Sequence, residues 1–210
     1  KTALETDMFT LVGDLAQGIH SYRSITSWQE VTEKIFPRAS YKELKKSYRT
    51  TIEIMNEANR LLEKLPYDFP IVEPIVRHGE APQYFSFEKG EQWAEAVKAQ
   101  TAKWREEGFH TFAIITKTAK DAKLAYQILR KRNFAVSLLE EKMSIPKGKL
   151  IILPSYLAKG LEFDCVIAFS HDERYHEQNE TDLKLLYVTM TRAMHRLHLM
   201  SKEERAFVLS

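Results

Sequence analysis

One cysteine among 210 residues excludes an intramolecular disulfide and any zinc site built from cysteines. That residue, Cys165, lies in the apolar run Phe163-Asp164-Cys165-Val166-Ile167-Ala168-Phe169, where a small buried thiol is expected rather than a nucleophile. No apolar run approaches the length of a membrane span. No charged-then-apolar leader opens the chain, so the expectation is a cytoplasmic protein with no membrane partner. Charge of one sign is also scarce: 31 Lys and Arg face 29 Asp and Glu, for a net charge of +2. Any nucleic-acid contact must therefore come from a local patch rather than from the overall field. The string G-x-x-x-x-G-K-[ST] is missing too, so nothing here can cradle nucleotide phosphates alone.

What is present is an ordinary globular composition, 44% hydrophobic and 29% charged. The length suits one large domain or two small ones. Short apolar runs predict strands at Phe9–Val12, Tyr84–Phe87, Phe112–Thr116, Phe134–Leu138, Leu150–Leu153, Cys165–Phe169 and Leu197–Met200. Continuous apolar strands of this kind suit a parallel sheet covered on both faces. Helical patterns separate them. Ser27-Trp28-Gln29-Glu30 reads as a capping box opening a helix to about Phe36. Ile54, Ala58, Leu61 and Leu65 follow helical spacing, with Pro66 ending the helix. Trp93, Val97 and Trp104 mark a helix closed by Gly108. Leu124 and Ile128 mark another, and Leu183, Leu186, Tyr187 and Met190 the last. Alternating strands and helices predict an α/β fold with right-handed crossovers. Pro66 to Pro82, with four prolines, reads as an extended connection. Lys1 to Met8 reads as the tail of a helix feeding a strand, as within a longer protein.

Four segments carry chemistry. Val12-Gly13-Asp14-Leu15-Ala16-Gln17 places a loop after an expected strand, at the carboxyl edge where parallel sheets bind ligands. Ser47-Tyr48-Arg49-Thr50 sets a planar cationic fork, suited to bidentate phosphate binding, just before a helix. Ala158-Lys159-Gly160-Leu161-Glu162-Phe163-Asp164 joins two strands by a loop whose glycine admits a conformation or close approach that a side chain would block. Leu186-Tyr187-Val188-Thr189-Met190-Thr191-Arg192-Ala193 reads as an amphipathic helix with Arg192 at its polar edge. Taken singly, each has a plain reading: a turn with an exposed amide, a stray Tyr-Arg pair, a solvated Lys/Glu turn, a carbonyl-capping arginine.

In this order the four segments resemble the later motifs of the UvrD/Rep/PcrA-type superfamily 1 helicases, over nearly the whole span from Phe9 to about Met200. The resemblance implies a RecA-like three-layer α/β sandwich with a mainly parallel sheet, lacking its own P-loop. Residues 1–24 would be the C-terminal edge of a first motor domain and 25–210 the second, without a large inserted accessory domain. It implies ATP and Mg²⁺ as cofactors of the full-length protein. The P-loop domain of the same polypeptide and single-stranded DNA are the implied partners. By position, Gln17 would sense the γ-phosphate and its attacking water, Arg49 would approach that phosphate, and Arg192 would act as an arginine finger. Tyr48 would stack on the adenine and Glu162 bond the ribose, with Lys159 and Gly160 between nucleotide and DNA. His20, Tyr22 and Arg23 fall where the family holds a base-stacking stretch. Tyr22 equally suits packing at a domain interface, and Arg23 most simply contacts phosphate or pairs with an acidic neighbour. The family's usual Asn stands as Ser47 here, and its Thr-His upstream of the Lys-Gly motif is Pro154-Ser155-Tyr156.

Other residues invite weaker readings. His171-Asp172-Glu173-Arg174-Tyr175-His176 lacks the H-E-x-x-H spacing of a zinc protease. His195 and His198, flanking a strand, and the helically spaced Trp28, Trp93 and Trp104 are expected to be structural. About a dozen residues separate the strands at Phe134 and Leu150, too few for the accessory domain of UvrD-like relatives. That shortening is similar to the HelD-like branch, some of whose members work on RNA polymerase. The leading expectation is the second half of an ATP-dependent helicase or translocase, inactive when isolated. The competing one is a non-hydrolysing module docking on RNA polymerase or nucleic acid.

Overall fold

The computed structural model describes residues 10–18, 27–66, 71–75, 77–140 and 150–209. Six strands form one parallel sheet: β3 (Gln83–Ser86), β4 (Phe112–Thr116), β5 (Val136–Leu138), β6 (Leu150–Pro154), β7 (Phe163–Ser170) and β8 (Ala193–Ser201). Their spatial order is β3-β8-β7-β4-β6-β5, and every neighbouring pair is parallel. Two further strands, β1 (Lys46–Ser47) and β2 (Glu73–Pro74), form a separate parallel pair.

The sheet's two faces are covered by different helices. Along β4 the side chains alternate: Ala113 and Ile115 enter one core, Phe112 and Ile114 the other. The first core is roofed by α2 (Ile52–Leu62), through Ile54, Ala58 and Leu61, and by α5 (Glu180–Met190), through Leu183, Leu186 and Met190. The second is roofed by α3 (Gly90–Glu106), through Trp93, Val97 and Trp104, and by α4 (Ala119–Lys131), through Ala122, Ala125 and Leu129. Period-two burial in the strands against helices on both sides is the three-layer sandwich expected from the continuous apolar runs. Phe87 stacks on Phe169 in the second core, and Trp93 packs tilted against Phe169 with centroids 4.1 Å apart.

Helix ends follow local chemistry. Thr118 accepts the Asp121 amide to start α4, and Asn179 accepts the Thr181 and Asp182 amides to start α5. α3 ends as expected at Gly108, whose φ of +90° suits glycine. The Gly108 amide reaches the Arg105 carbonyl and the Phe109 amide the Trp104 carbonyl, a Schellman closure. Ser27 caps α1 (Trp28–Glu30) through the Gln29 amide, but the helix continues as a π-helical turn over Val31–Ile35. α2 stops at Leu62, short of Pro66, while Leu65 stays buried beneath the following turn.

One expected strand is corrected. Phe9 lies outside the described residues, and residues 10–12 form no strand, with Leu11 51% and Val12 80% exposed. An apolar run becomes a strand only beside an edge that can accept its backbone bonds, and among the described residues none pairs with it. Trp93 and Trp104 are buried as expected, whereas Trp28 is half-buried against Gly13 and Tyr41. His195 and His198 lie within β8 rather than beside it.

Candidate functional site

Four chain segments meet where β7 and β8 begin. Glu162 immediately precedes β7 and Arg192 immediately precedes β8, and the Phe163 amide donates to the Arg192 carbonyl at 3.0 Å. The site thus stands at the amino edge of these two strands. The carboxyl-edge placement expected for Gly13-Asp14 is not found, because no strand leads into that loop from residues 10–12.

Residues 15–17 form a 3₁₀ turn. The Asp14 carboxylate accepts the Ala16 amide at 2.9 Å and the Gln17 side-chain Nε2 at 2.6 Å. Ala16 anchors the turn in the first core beside Leu186 and Tyr187. With its NH₂ committed to Asp14, the Gln17 amide turns its oxygen toward Arg192, whose Nη2 donates to it at 3.4 Å.

Arg192 departs from expectation. It is not at a polar edge but wholly buried, at 0% exposure. α5 leaves carbonyls without intrahelical partners at its end, and the guanidinium turns back to satisfy one of them: Nε donates to the Val188 carbonyl at 3.1 Å. Nη1 donates to the Leu161 carbonyl at 3.2 Å, and Nη2 also donates to the Thr191 hydroxyl at 3.2 Å. Burial, with Arg49 nearby, lowers the Arg192 pKa to about 10, while Glu162, Tyr187 and Asp14 oppose the fall. The group remains cationic at neutral pH. The same surroundings raise the Tyr187 phenol, through burial first and the Asp14 charge second.

Arg49 lies in the loop between β1 and α2 and ion-pairs with Glu162, Nε to Oε1, at 2.5 Å. The Glu162 loop turns at Gly160, whose φ is +84°. A Cβ there would meet nothing within 4 Å, so glycine serves the backbone conformation and not a close approach. Lys159 is exposed on the same loop, and Tyr48 is 65% exposed beside Arg49. The structure therefore brings Gln17, Arg49, Glu162 and Arg192 into one cluster, with Tyr48, Lys159 and Gly160 at its rim. His20, Tyr22 and Arg23 lie outside the described residues.

Three residues of the cluster escaped the sequence reading as site residues. Asp14 carried a signal, an acid three residues before the glutamine in a turn. Tyr187 read only as a core position. Arg77, which donates to the Arg49 carbonyl at 3.0 Å, gave no local sign, because its partners are remote in the chain. Elsewhere, Ser155 is buried and donates to the Thr116 carbonyl, and His171 is held by Asp172 at 2.6 Å. Burial pushes the Cys165 thiol up, which keeps it an inert core residue. Among the described residues, no group of three or more His, Cys, Asp or Glu could hold a metal ion. No described helix is long and apolar enough to cross a membrane.

A family model for the UvrD-like helicase C-terminal domain matches residues 149–200. The crystal structure of the C-terminal domain of a possible DNA helicase from Lactobacillus plantarum WCFS1 is 30% identical, with a TM-score of 0.57; the match covers 78% of this chain and 92% of that one. The chain belongs to the UvrD-like helicase C-terminal domain family. The family match contains Gly160, Glu162 and Arg192, whereas Gln17 and Arg49 reach this UvrD-like site from outside it. Two further solved structures are more remote. The arterivirus nonstructural protein 10 helicase in complex with DNA is 8% identical with a TM-score of 0.39, covering 71% of this chain and 30% of that one. The C-terminal domain of the DEAD-box protein Dbp5 is 14% identical with a TM-score of 0.38, covering 60% and 77%. No curated protein matches the chain.

Proposed function

We propose that this UvrD-like domain is the second half of an ATP-dependent DNA helicase or translocase, completing a nucleotide site against a P-loop domain of the same polypeptide. The reading rests on the meeting of Gln17, Arg49, Glu162 and Arg192, drawn from four separate segments, at one sheet edge. The donor set fits a polyphosphate: two guanidiniums, an amide oriented by a carboxylate, and one carboxylate able to accept a ribose hydroxyl. When bound, ATP supplies the transferring γ-phosphoryl group, with its phosphate-binding lysine and Mg²⁺ ligands assigned to the P-loop half.

Within this half, Arg192 is cationic at neutral pH, and its guanidinium is held in place by the Val188 and Leu161 carbonyls, so little reorganisation of its position accompanies reaction. Arg49 approaches the same phosphate once it exchanges Glu162 for the nucleotide, which frees Glu162 for the ribose. Gln17, with its amide oriented by Asp14, accepts from and positions the attacking water. Tyr48, exposed, stacks on the base. Single-stranded DNA is assigned to Lys159 and to His20, Tyr22 and Arg23.

The test is DNA-stimulated ATP hydrolysis by the natural polypeptide that carries this domain together with its P-loop half. Arginine fingers contribute roughly 10³–10⁵ in rate in other phosphoryl-transfer enzymes. Arg192→Ala should therefore lower kcat by at least about 10³, with nucleotide affinity changed little and Arg192→Lys recovering only part of the rate. The isolated 210-residue chain should show no turnover. Hydrolysis by the isolated chain, or a polypeptide that binds nucleic acid or RNA polymerase but never hydrolyses ATP, would overturn the reading.

A further inference from the structure

Residues 77–79 form a strap over the start of α2. The Ile52 amide donates to the Arg77 carbonyl at 3.0 Å, and the Gly79 amide donates to Glu53 Oε2 at 2.7 Å. His78 Nδ1 meets the other Glu53 oxygen at 2.8 Å. The strap lies so close that a Cβ on Gly79 would stand 2.5 Å from Thr51 Cγ2, a separation that side chains do not tolerate. Its position over Thr51 and α2 is therefore closely set by packing as well as by hydrogen bonds.

From this strap the half-buried Arg77 side chain reaches across the site. Its Nη2 donates to the Arg49 carbonyl at 3.0 Å and to the Met194 carbonyl at 3.2 Å. Met194 is two residues beyond Arg192 on β8, so one guanidinium ties the backbone that carries Arg49 to the backbone that carries Arg192. The Arg49 amide bond to the Ser47 hydroxyl, at 3.4 Å, is local to the loop and fixes nothing relative to the sheet. Both bonds leave one nitrogen whose two N–H groups are fixed in the guanidinium plane, whereas the ammonium of lysine is a rotating point charge on a flexible stem.

We propose that Arg77 is a positioning residue that sets Arg49 in register with Arg192. The strap holds Arg77, Arg77 holds the Arg49 loop against β8, and the loop presents the Arg49 side chain to Glu162 at rest. This deepens the proposed function and rests on it for its catalytic consequence, while the positioning itself is read in the isolated chain.

Two measurements test it. In the ¹⁵N-labelled 210-residue chain, the Arg49 Nε–H resonance should be protected from exchange by the Glu162 pair. Arg77→Ala should abolish that protection, as Glu162→Gln does, while the melting temperature stays close to wild type and Arg77→Lys retains an intermediate signal. In the polypeptide with its P-loop half, Arg77→Ala should lower kcat for ATP about tenfold to a hundredfold, as misplacement of a catalytic group does, with KM within about twofold. An Arg49 signal unchanged in Arg77→Ala overturns the proposal. So does loss of the signal only through global unfolding in both Arg77 variants. A wild-type polypeptide that hydrolyses no ATP overturns the motor reading alone, and the Arg49 resonance then decides the role of Arg77.

Discussion

A buried histidine shows how single residues couple this fold to solution conditions. His198 lies in β8 between Trp104, centroid 4.9 Å away, and Phe85 at 5.1 Å. Burial, helped by the charges of Lys103 and Arg196, lowers its pKa from 6.5 to about 4. The folded state thus disfavours its proton relative to the unfolded chain. No cost arises above pH 6.5, and stability falls as pH drops from about 6.5 toward about 4, by on the order of 3 kcal/mol for this group. Chemical denaturation at pH 7.5, 5.5 and 4.5 should show the decline, and a folded His198→Phe variant should show a shallower one. Arg192 illustrates what residue-level reading could not reach. Its type and its position after the helix were legible, because Thr189-Met190-Thr191-Arg192-Ala193 forms a recognisable local string. Its burial was not, because that depends on the carbonyls of Val188 and Leu161, and Leu161 lies 31 residues earlier. Asp14 was half-legible for the converse reason: its partners Ala16 and Gln17 are sequence neighbours.

At the level of elements, legibility follows how local the determining forces are. The core strands were readable as short apolar runs, since a parallel strand buried on both faces needs apolar residues at every position. α3 was readable to its last turn, since Gly108 supplies the positive φ that its Schellman closure requires. Residues 10–12 looked equally apolar and failed to form a strand, because pairing is a property of two segments and not of one. The Trp28–Ile35 stretch was readable as helical, but its π-helical turn was not, because a shift from i→i+4 to i→i+5 bonding leaves little trace in periodicity. The helix-to-sheet packing makes a specific prediction. Trp93 on α3 is fully buried against Phe169 of β7 and Phe87. Trp93→Ala should cost about 3–5 kcal/mol, the range for deleting a large aromatic from a packed core. Trp93→Phe should recover much of it by keeping an aromatic ring against Phe169 and Phe87. Denaturant midpoints at constant m-value would measure both, and a loss below about 1 kcal/mol would mean that the second core relaxes freely around α3.

For the whole molecule, the near-zero net charge decides how nucleic acid could be held. With +2 overall, the long-range field attracts little, so affinity for single-stranded DNA must rest on a few side chains and on stacking. The proposed set contains two Lys or Arg residues, Arg23 and Lys159. For a single strand the slope of log K against log salt is about −0.7 per phosphate neutralised, which gives roughly −1.4 for two contacts. Raising salt from about 50 to about 200 mM should then weaken binding only about sevenfold, far less than the 10³–10⁵ expected of a surface with many phosphate contacts. Lys159→Ala should halve the slope, whereas Tyr22→Ala should lower affinity at every salt concentration by the worth of one stacked base, about 1–3 kcal/mol, and leave the slope alone. Titrating a fluorescent oligonucleotide against the 210-residue chain at several salt concentrations separates the two effects. A slope steeper than about −4 would require a basic surface beyond Arg23 and Lys159. No measurable binding at low salt would remove single-stranded DNA from the proposed partners of this domain, and any grip on the strand would then lie outside residues 1–210.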